Sequence, residues 1–149
     1  MKRLDTGDEI LARRVVSMLK TETPLSIRER LGVRYLQEFL GRDSNYLLVA
    51  LLGEEPAGFA LAYRLMRVDR EGDMILFYEI VVNEEHRSKG VGKALVGRLK
   101  EICREQGVMK MWVLTNRSNA AAMALYRSTG GVECGDGDEV SFTYYPPYK

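Results

Sequence analysis

Two adjoining stretches carry residue types that could do chemistry. Arg87-Ser88-Lys89-Gly90-Val91-Gly92 joins an apolar run to an amphipathic one. Glycines there let the backbone turn so that successive N–H groups point one way, and a helix starting at the second part adds the positive end of its dipole. That is the chemistry of holding an anion, a phosphate group above all. Arg87, Lys89 and Lys93 add charge to it. Just upstream, Glu79 is the one acid in Tyr78-Glu79-Ile80-Val81-Val82. A carboxylate among apolar neighbours loses hydration, its pKa rises, and it becomes a usable proton acceptor. The same residue also reads as an edge-strand charge meeting solvent or an arginine.

The elements that must position these residues follow from periodicity. Leu11, Val15, Met18 and Leu19 recur at helical spacing, with Thr6 or Asp8 as cap, and Pro24 breaks the segment. Ser26 with Glu29 three residues on suggests a second helix start, with Leu31, Tyr35, Leu36 and Phe39 as its apolar stripe and Gly41 as its stop. From Tyr46 the period changes to that of strands: residues 46–52, then 57–66 after a turn at 53–56, then 74–82 after a charged loop at 67–73. Strict alternation puts Ile75, Phe77, Glu79 and Val81 on one face of the third strand. A helix over about 90–106 buries Val91, Leu95, Leu99 and Ile102 and exposes Lys93, Lys100, Glu101 and Arg104. Residues 108–114 form a nearly continuous apolar strand suited to a sheet centre covered on both sides. A short helix over 118–128 follows, with Asn119, Ala122 and Tyr126 on one face, and 140–145 is a last strand. Short strands are also expected at 2–4 and near Val132. Hairpin connections followed by strand–helix–strand predict an α/β (α+β) fold: a mixed, mostly antiparallel sheet with helices on both faces.

Length and composition narrow the function classes. With 149 residues the chain has the size of a single domain, and no linker or repeat divides it. A net charge of +1 gives no basic field, so nucleic acid is not an expected partner. The longest apolar run, 46–52, is far too short to span a bilayer, and Lys2 and Arg3 precede acids rather than a signal-type apolar region. Neither a membrane nor a bound metal is expected. Cys103 and Cys134 have no metal-ligand or disulfide spacing, which suits reduced thiols in a cytoplasmic protein.

Three phosphate patterns compete for the elbow. GxxxxGK[ST] would need Gly at 87 and a hydroxyl at 94, where the chain has Arg87 and Ala94; GxGxxG would need Gly where Leu95 stands. What remains is R-x-x-G-x-G before a helix. With the strand at 79–82 before it, this pattern resembles the acetyl-CoA signature of the GNAT N-acetyltransferases. A second signature is similar too: Asn116, then Asn119-Ala120-Ala121-Ala122, then Leu125-Tyr126 and a glycine. The likeness covers nearly the whole chain, most strongly 46–145. Within the family it is most similar to the aminoglycoside 3-N-acetyltransferase branch, through Asn45-Tyr46-Leu47, Phe77-Tyr78-Glu79, Glu85-His86-Arg87 and Ala124-Leu125-Tyr126. One departure is Gly130-Gly131, where many members have Gly-Phe.

The resemblance implies a GNAT-like fold, acetyl-CoA as cosubstrate and acetyl transfer to an amine by direct attack in a ternary complex. It implies that the N–H groups from Ser88 to Lys93, including Gly90, Val91 and Gly92, clasp the pyrophosphate. Pantetheine would lie along Ile80, Val81 and Val82 as a mock strand, with the Val81 N–H on the thioester carbonyl. Asn119 would bond the cofactor arm, Glu79 would be the base, directly or through water, and Tyr126 would be the acid for the leaving thiolate. The acceptor would be an aminoglycoside first, then a protein or peptide amine, then a polyamine. Plainer readings stand beside these: Tyr126 as a packed core tyrosine, Trp112 and Tyr78 as sheet packing, and His86 as a surface residue of the turn. The acids Glu133, Asp136, Asp138 and Glu139 are either a solvated turn or a wall of a site for a polycationic amine. A non-catalytic acyl-CoA-binding module on the same fold is the rival from another class, and the final strand is the candidate surface for a homodimer.

Overall fold

Alternating apolar residues from Asn45 onward build three long strands, and the rest of the chain packs on them. In the computed structural model, which describes residues 1–18 and 31–148, these are β2 (Asn45–Leu52), β3 (Glu55–Met66) and β4 (Asp73–Val82), each antiparallel to the next. A two-residue β1 (Lys2–Arg3) adds to the outer edge of β2. The chain then crosses through helix α3 (Val91–Glu105) to β5 (Lys110–Asn116), which lies parallel to β4. Helix α4 (Ala120–Ser128) leads to β6 (Val132–Cys134) and β7 (Glu139–Tyr144), and β7 inserts between β5 and β6. The seven strands run in the order β1-β2-β3-β4-β5-β7-β6.

Helices α1 (Glu9–Val16) and α2 (Val33–Leu40) cover one face, burying Ala12, Val15, Leu36 and Leu40 against Leu47, Val49 and Phe59. Leu95, Leu99 and Ile102 of α3 and Met123 and Tyr126 of α4 bury the other face with Ile75, Phe77, Met111 and Phe142. The expected helices on both faces of a mostly antiparallel sheet are therefore present. Among the described residues no helix is long and apolar enough to cross a membrane. The break at Pro24, the start at Ser26 and Glu29, and Leu19 lie outside the described residues. Tyr35, expected within the apolar stripe of the second helix, instead points outward and is 61% exposed, because Leu36 and Leu40 take the buried side.

Two other expectations are corrected. β5 is fully covered on one face only: Met111 and Val113 are buried, whereas on the alternate face Trp112 is half-buried and Leu114 is 57% exposed. The alternation of β4 is also broken. Ala62 of β3 faces Phe77, but the next residue, Leu61, faces Glu79, so Tyr78 is an extra residue on β4. Such a bulge exchanges the faces of everything beyond it. Ile75 and Phe77 lie in the core under α3, whereas Glu79 and Val81 come round to the face of Leu61 and Phe59, under α1 and α2.

Candidate functional site

The bulge falls where β4 parts from β5. Pairing between the two strands involves only Met74, Ile75 and Leu76 with Lys110, Met111 and Trp112. Beyond them the end of β4 keeps β3 on one edge and, among the described residues, has no strand on the other. Two bonds fix which backbone groups turn to that open edge. The Arg64 N–H donates to Ser44 O at 2.8 Å, so even-numbered residues of β3 bond β2; the Asn83 N–H donates to Ala57 O at 2.9 Å, so odd-numbered ones bond β4. Phe59 lies opposite Val81, which makes them a hydrogen-bonded pair. The Val81 N–H is thus turned toward β3, and it is Ile80 and Val82 whose N–H groups face the open edge. The Val81 N–H, expected to face the open edge, is therefore turned into the sheet, because the direction of the amides alternates along a strand. Arg87 Nε reaches back to the Val82 carbonyl at 3.3 Å.

The elbow follows a single 3-10 turn, Glu84–His86. Ser88 takes φ 59° and Gly90 φ 84°, both left-handed. For serine that conformation costs on the order of 1 kcal/mol, an outlier of the kind that clusters at ligand-binding turns. Helix α3 then begins at Val91 with no side-chain cap, so its first amides remain available beside the exposed Lys89 and Lys93. Gly92 lets the start of this helix pack closely on α4, and Gly58 lets it lie close on the sheet. A Cβ on Gly92 would meet Leu125 at 3.3 Å, and one on Gly58 would stand 2.7 Å from the Val81 carbonyl oxygen and 3.2 Å from Val91. Gly58 was not singled out in the sequence, although a glycine inside a strand pattern is the signal for such an approach.

On the α1–α2 face, Glu79 is half-buried and has no ion pair or hydrogen bond among the described residues. Desolvation alone raises its pKa above the usual carboxylate range. Tyr63 lies close by, its phenol pushed up by burial first and then by Tyr78, Tyr35 and Glu79. On the opposite face, Tyr126 stands behind the fork between β4 and β5. Its ring meets Phe77, the last residue before the bulge, edge-on at 5.8 Å, and lies 5.3 Å from Phe142. The ring is buried, but the hydroxyl has no partner among the described residues and is not among the sealed, unpartnered polar atoms. Burial raises its pKa, so it is protonated throughout the neutral range.

Asn119 Oδ1 accepts the Ala122 N–H at 3.1 Å and caps α4, leaving its NH₂ to donate outward. At the Gly130-Gly131 departure, Tyr144 fills the space: a Cβ on Gly131 would come within 2.9 Å of its ring. The Tyr144 hydroxyl lies 3.0 Å from Thr129 Oγ1. Among the acids of 133–139, Glu133 is paired with both Arg117 and Arg127, which hold its carboxyl below the usual range. Arg117 also braces the hairpin through the Gly135 and Gly137 carbonyls at 2.9 and 2.8 Å, leaving Asp136, Asp138 and Glu139 exposed. His86, expected at the surface, is half-buried in the turn with its Nδ1 enclosed and unpartnered.

Comparison with known proteins agrees with this arrangement. The family model described as Acetyltransferase (GNAT) family matches residues 13–130. The chain is 34% identical over 74 residues to the [ribosomal protein bS18]-alanine N-acetyltransferase of Escherichia coli K12, a match covering 50% of this chain and 47% of that protein. It thus spans about half the length of that curated relative. Over 61 residues it is 39% identical to human N-acetyltransferase 8, covering 41% of this chain and 26% of that one. In three dimensions it is similar to an aminoglycoside acetyltransferase from an uncultured soil metagenomic sample, in complex with trehalose. That match has a TM-score of 0.79 at 21% identity and covers 91% of this chain and 90% of the other. It is also similar to the PaiA N-acetyltransferase of Thermoplasma acidophilum in complex with coenzyme A, with a TM-score of 0.71 at 16% identity over 97% and 96% of the two chains.

Proposed function

Because the chain belongs to the GNAT acetyltransferase family, we propose that it moves an acetyl group from acetyl-CoA to a primary amine by direct attack in a ternary complex. The observation that carries this reading is the fork at the bulge. It has free backbone donors along one edge, an unpaired carboxylate on one face and an unpartnered phenol on the other.

Acetyl-CoA would supply the acetyl group as a thioester. The elbow from Arg87 through Ser88, Lys89, Gly90, Val91, Gly92 and Lys93 fits its pyrophosphate, with helical amides and lysine charge aimed at one place. The open edge at Ile80 and Val82 suits an extended chain bearing amides, because it presents main-chain groups as a further strand would meet them. An N–H there, already fixed by the sheet, stabilises negative charge on a carbonyl oxygen without reorganising. Asn119 donates its NH₂ to the cofactor arm.

An alkyl ammonium of pKa about 10 is neutral in roughly one molecule per thousand at pH 7, so a proton acceptor matters. Glu79 takes that proton, directly or through a water, and its raised pKa makes it the stronger base. Tyr126 delivers a proton to the departing sulfur. The amine nitrogen and the leaving sulfur are separate substituents of the tetrahedral intermediate, so a base on one face of the fork and an acid on the other serve the two without competing for one place.

Similarity to aminoglycoside acetyltransferases makes an aminoglycoside the first acceptor to try, and similarity to an alanine N-acetyltransferase makes a protein N-terminal amine the second. A cytoplasmic location suits the free cysteines. Thiol release from acetyl-CoA with a panel of amines tests the reading. Turnover with at least one amine is expected; tight CoA binding with no turnover on any amine would instead make this an acyl-CoA-binding module.

A further inference from the structure

A cavity of about 300 Å³ opens on the α1–α2 face, lined by Tyr35, Glu38, Phe39, Arg42, Asn45 and Tyr63; Tyr63 stands two residues along β3 from Leu61, the residue that faces Glu79. Its wall is aromatic. Phe39 meets Tyr63 edge-on at 6.2 Å, and Tyr63 meets Tyr78 edge-on at 5.8 Å. Tyr35, Tyr78 and Glu79 all lie near enough to raise the Tyr63 phenol. Among the described residues no hydrogen bond occupies the hydroxyls of Tyr35, Tyr63 or Tyr78.

The charges of this cavity nearly cancel. Glu38 is bound by Arg42 at 2.5 Å, so the pair contributes no net charge. Glu79, neighbouring Tyr63 on the same face, is a carboxylate with no ion pair among the described residues. Ring faces attract a single cation, most strongly where water is excluded, and they also accept an apolar body. A polycation would bring further positive groups beside the Arg42 guanidinium, where the only carboxylate of the described lining, Glu38, is already paired. The volume lies at the lower bound of pockets that take small molecules, enough for a compact one-ring ligand.

The geometry points to this cavity as the acceptor site, and to an acceptor that is a primary amine with one positive charge on an aromatic or branched apolar body. This inference rests on the acetyl-transfer reading and moves its acceptor away from the polycationic aminoglycosides that similarity alone puts first. Tyr35, Tyr63 and Tyr78 set the specificity, while Glu38 and Arg42 exclude polycations.

The test uses the full chain, acetyl-CoA, and phenethylamine, spermidine, kanamycin and an alanine-initiated tetrapeptide as probes. Phenethylamine is expected to exceed each of the others in kcat/KM by at least about tenfold, the scale of a desolvated cation on ring faces. Tyr35 is an exposed helix residue, so Tyr35→Ala folds; it raises the phenethylamine KM about tenfold, leaves the acetyl-CoA KM unchanged, and is rescued by Tyr35→Phe. Arg42→Gln shifts the preference toward spermidine. Preferred acetylation of kanamycin or the peptide, or no effect of Tyr35→Ala, overturns the inference while leaving acetyl transfer standing. If no amine is acetylated, binding of phenethylamine to the CoA-saturated protein decides separately. Binding that Tyr35→Ala weakens keeps the cavity assignment and removes the acetyl-transfer reading; absence of binding removes the cavity assignment.

Discussion

Replacing Glu79 with glutamine separates the chemistry of the fork from its architecture. The carboxylate is half-buried, has no partner among the described residues, and is held above the usual carboxylate range by desolvation. A group whose folded pKa is raised gives stability that is full below its unfolded pKa and lost as pH rises through the folded one. At pH 7 the ionised Glu79 is therefore a cost to folding, and the neutral, isosteric glutamine should leave the melting temperature at pH 7 unchanged or higher. Activity should move the other way. At pH 7 only about one alkyl amine in a thousand is neutral, and loss of the base should lower kcat by roughly 10²–10⁴. Between pH 7 and 9 the neutral fraction rises about tenfold per unit, so the variant should gain faster than the parent and the gap should narrow. Initial rates of thiol release from pH 6 to 9, with thermal melts of both proteins, measure both effects. Equal rates and parallel pH profiles would refute the base assignment; a lowered melting temperature would mean that Glu79 has a stabilising partner this reasoning omits.

Three further outcomes are expected. Tyr126→Phe removes a hydroxyl that bonds nothing among the described residues, so it should slow turnover at least tenfold while leaving the melting temperature and CoA affinity nearly unchanged, checked by kinetics and calorimetry. Gly58→Ala places a methyl 2.7 Å from the Val81 carbonyl oxygen; displacing β4 at the open edge should cost about 1–3 kcal/mol and weaken CoA binding, read by denaturation and titration. Asn119→Ala loses the cap of α4 and should cost about 1 kcal/mol, or about 3 °C in melting temperature, on a thermal melt.

Much of the fold was legible because its signals are local. The change from helical spacing to alternation at Tyr46, the glycine-rich elbow and the apolar stripe of α3 each depend on residues within one element. What the sequence hid depends on how elements meet. The exposed outer face of β5 follows from where α1 and α2 lie, and Met111-Trp112-Val113-Leu114 reads the same whether one face is covered or two. Tyr144 filling the space beside Gly131 joins residues thirteen positions apart, by simple subtraction of their numbers, across two strands. The cavity residues Tyr35 and Tyr63 come from a helix and a strand, and nothing in either stretch announces the other.

The bulge at Tyr78 is the sharpest case, because periodicity placed Glu79 on an apolar face but on the wrong one. Without the extra residue, Glu79 would continue the row of Ile75 and Phe77 into the core beneath α3, where Leu95 and Leu99 are fully buried. An ionised carboxylate there would be desolvated with no counter-charge, a cost that folding avoids. With it, Glu79 reaches the half-exposed α1–α2 face beside Tyr63, while Phe77 stays behind to pack on Tyr126. The same step turns the amides of Ile80 and Val82 toward an edge that β5 has already left. One inserted residue therefore brings the Glu79 carboxylate, the Tyr126 phenol and the outward-facing backbone donors around a single opening. It does so through register, which no single stretch of sequence records.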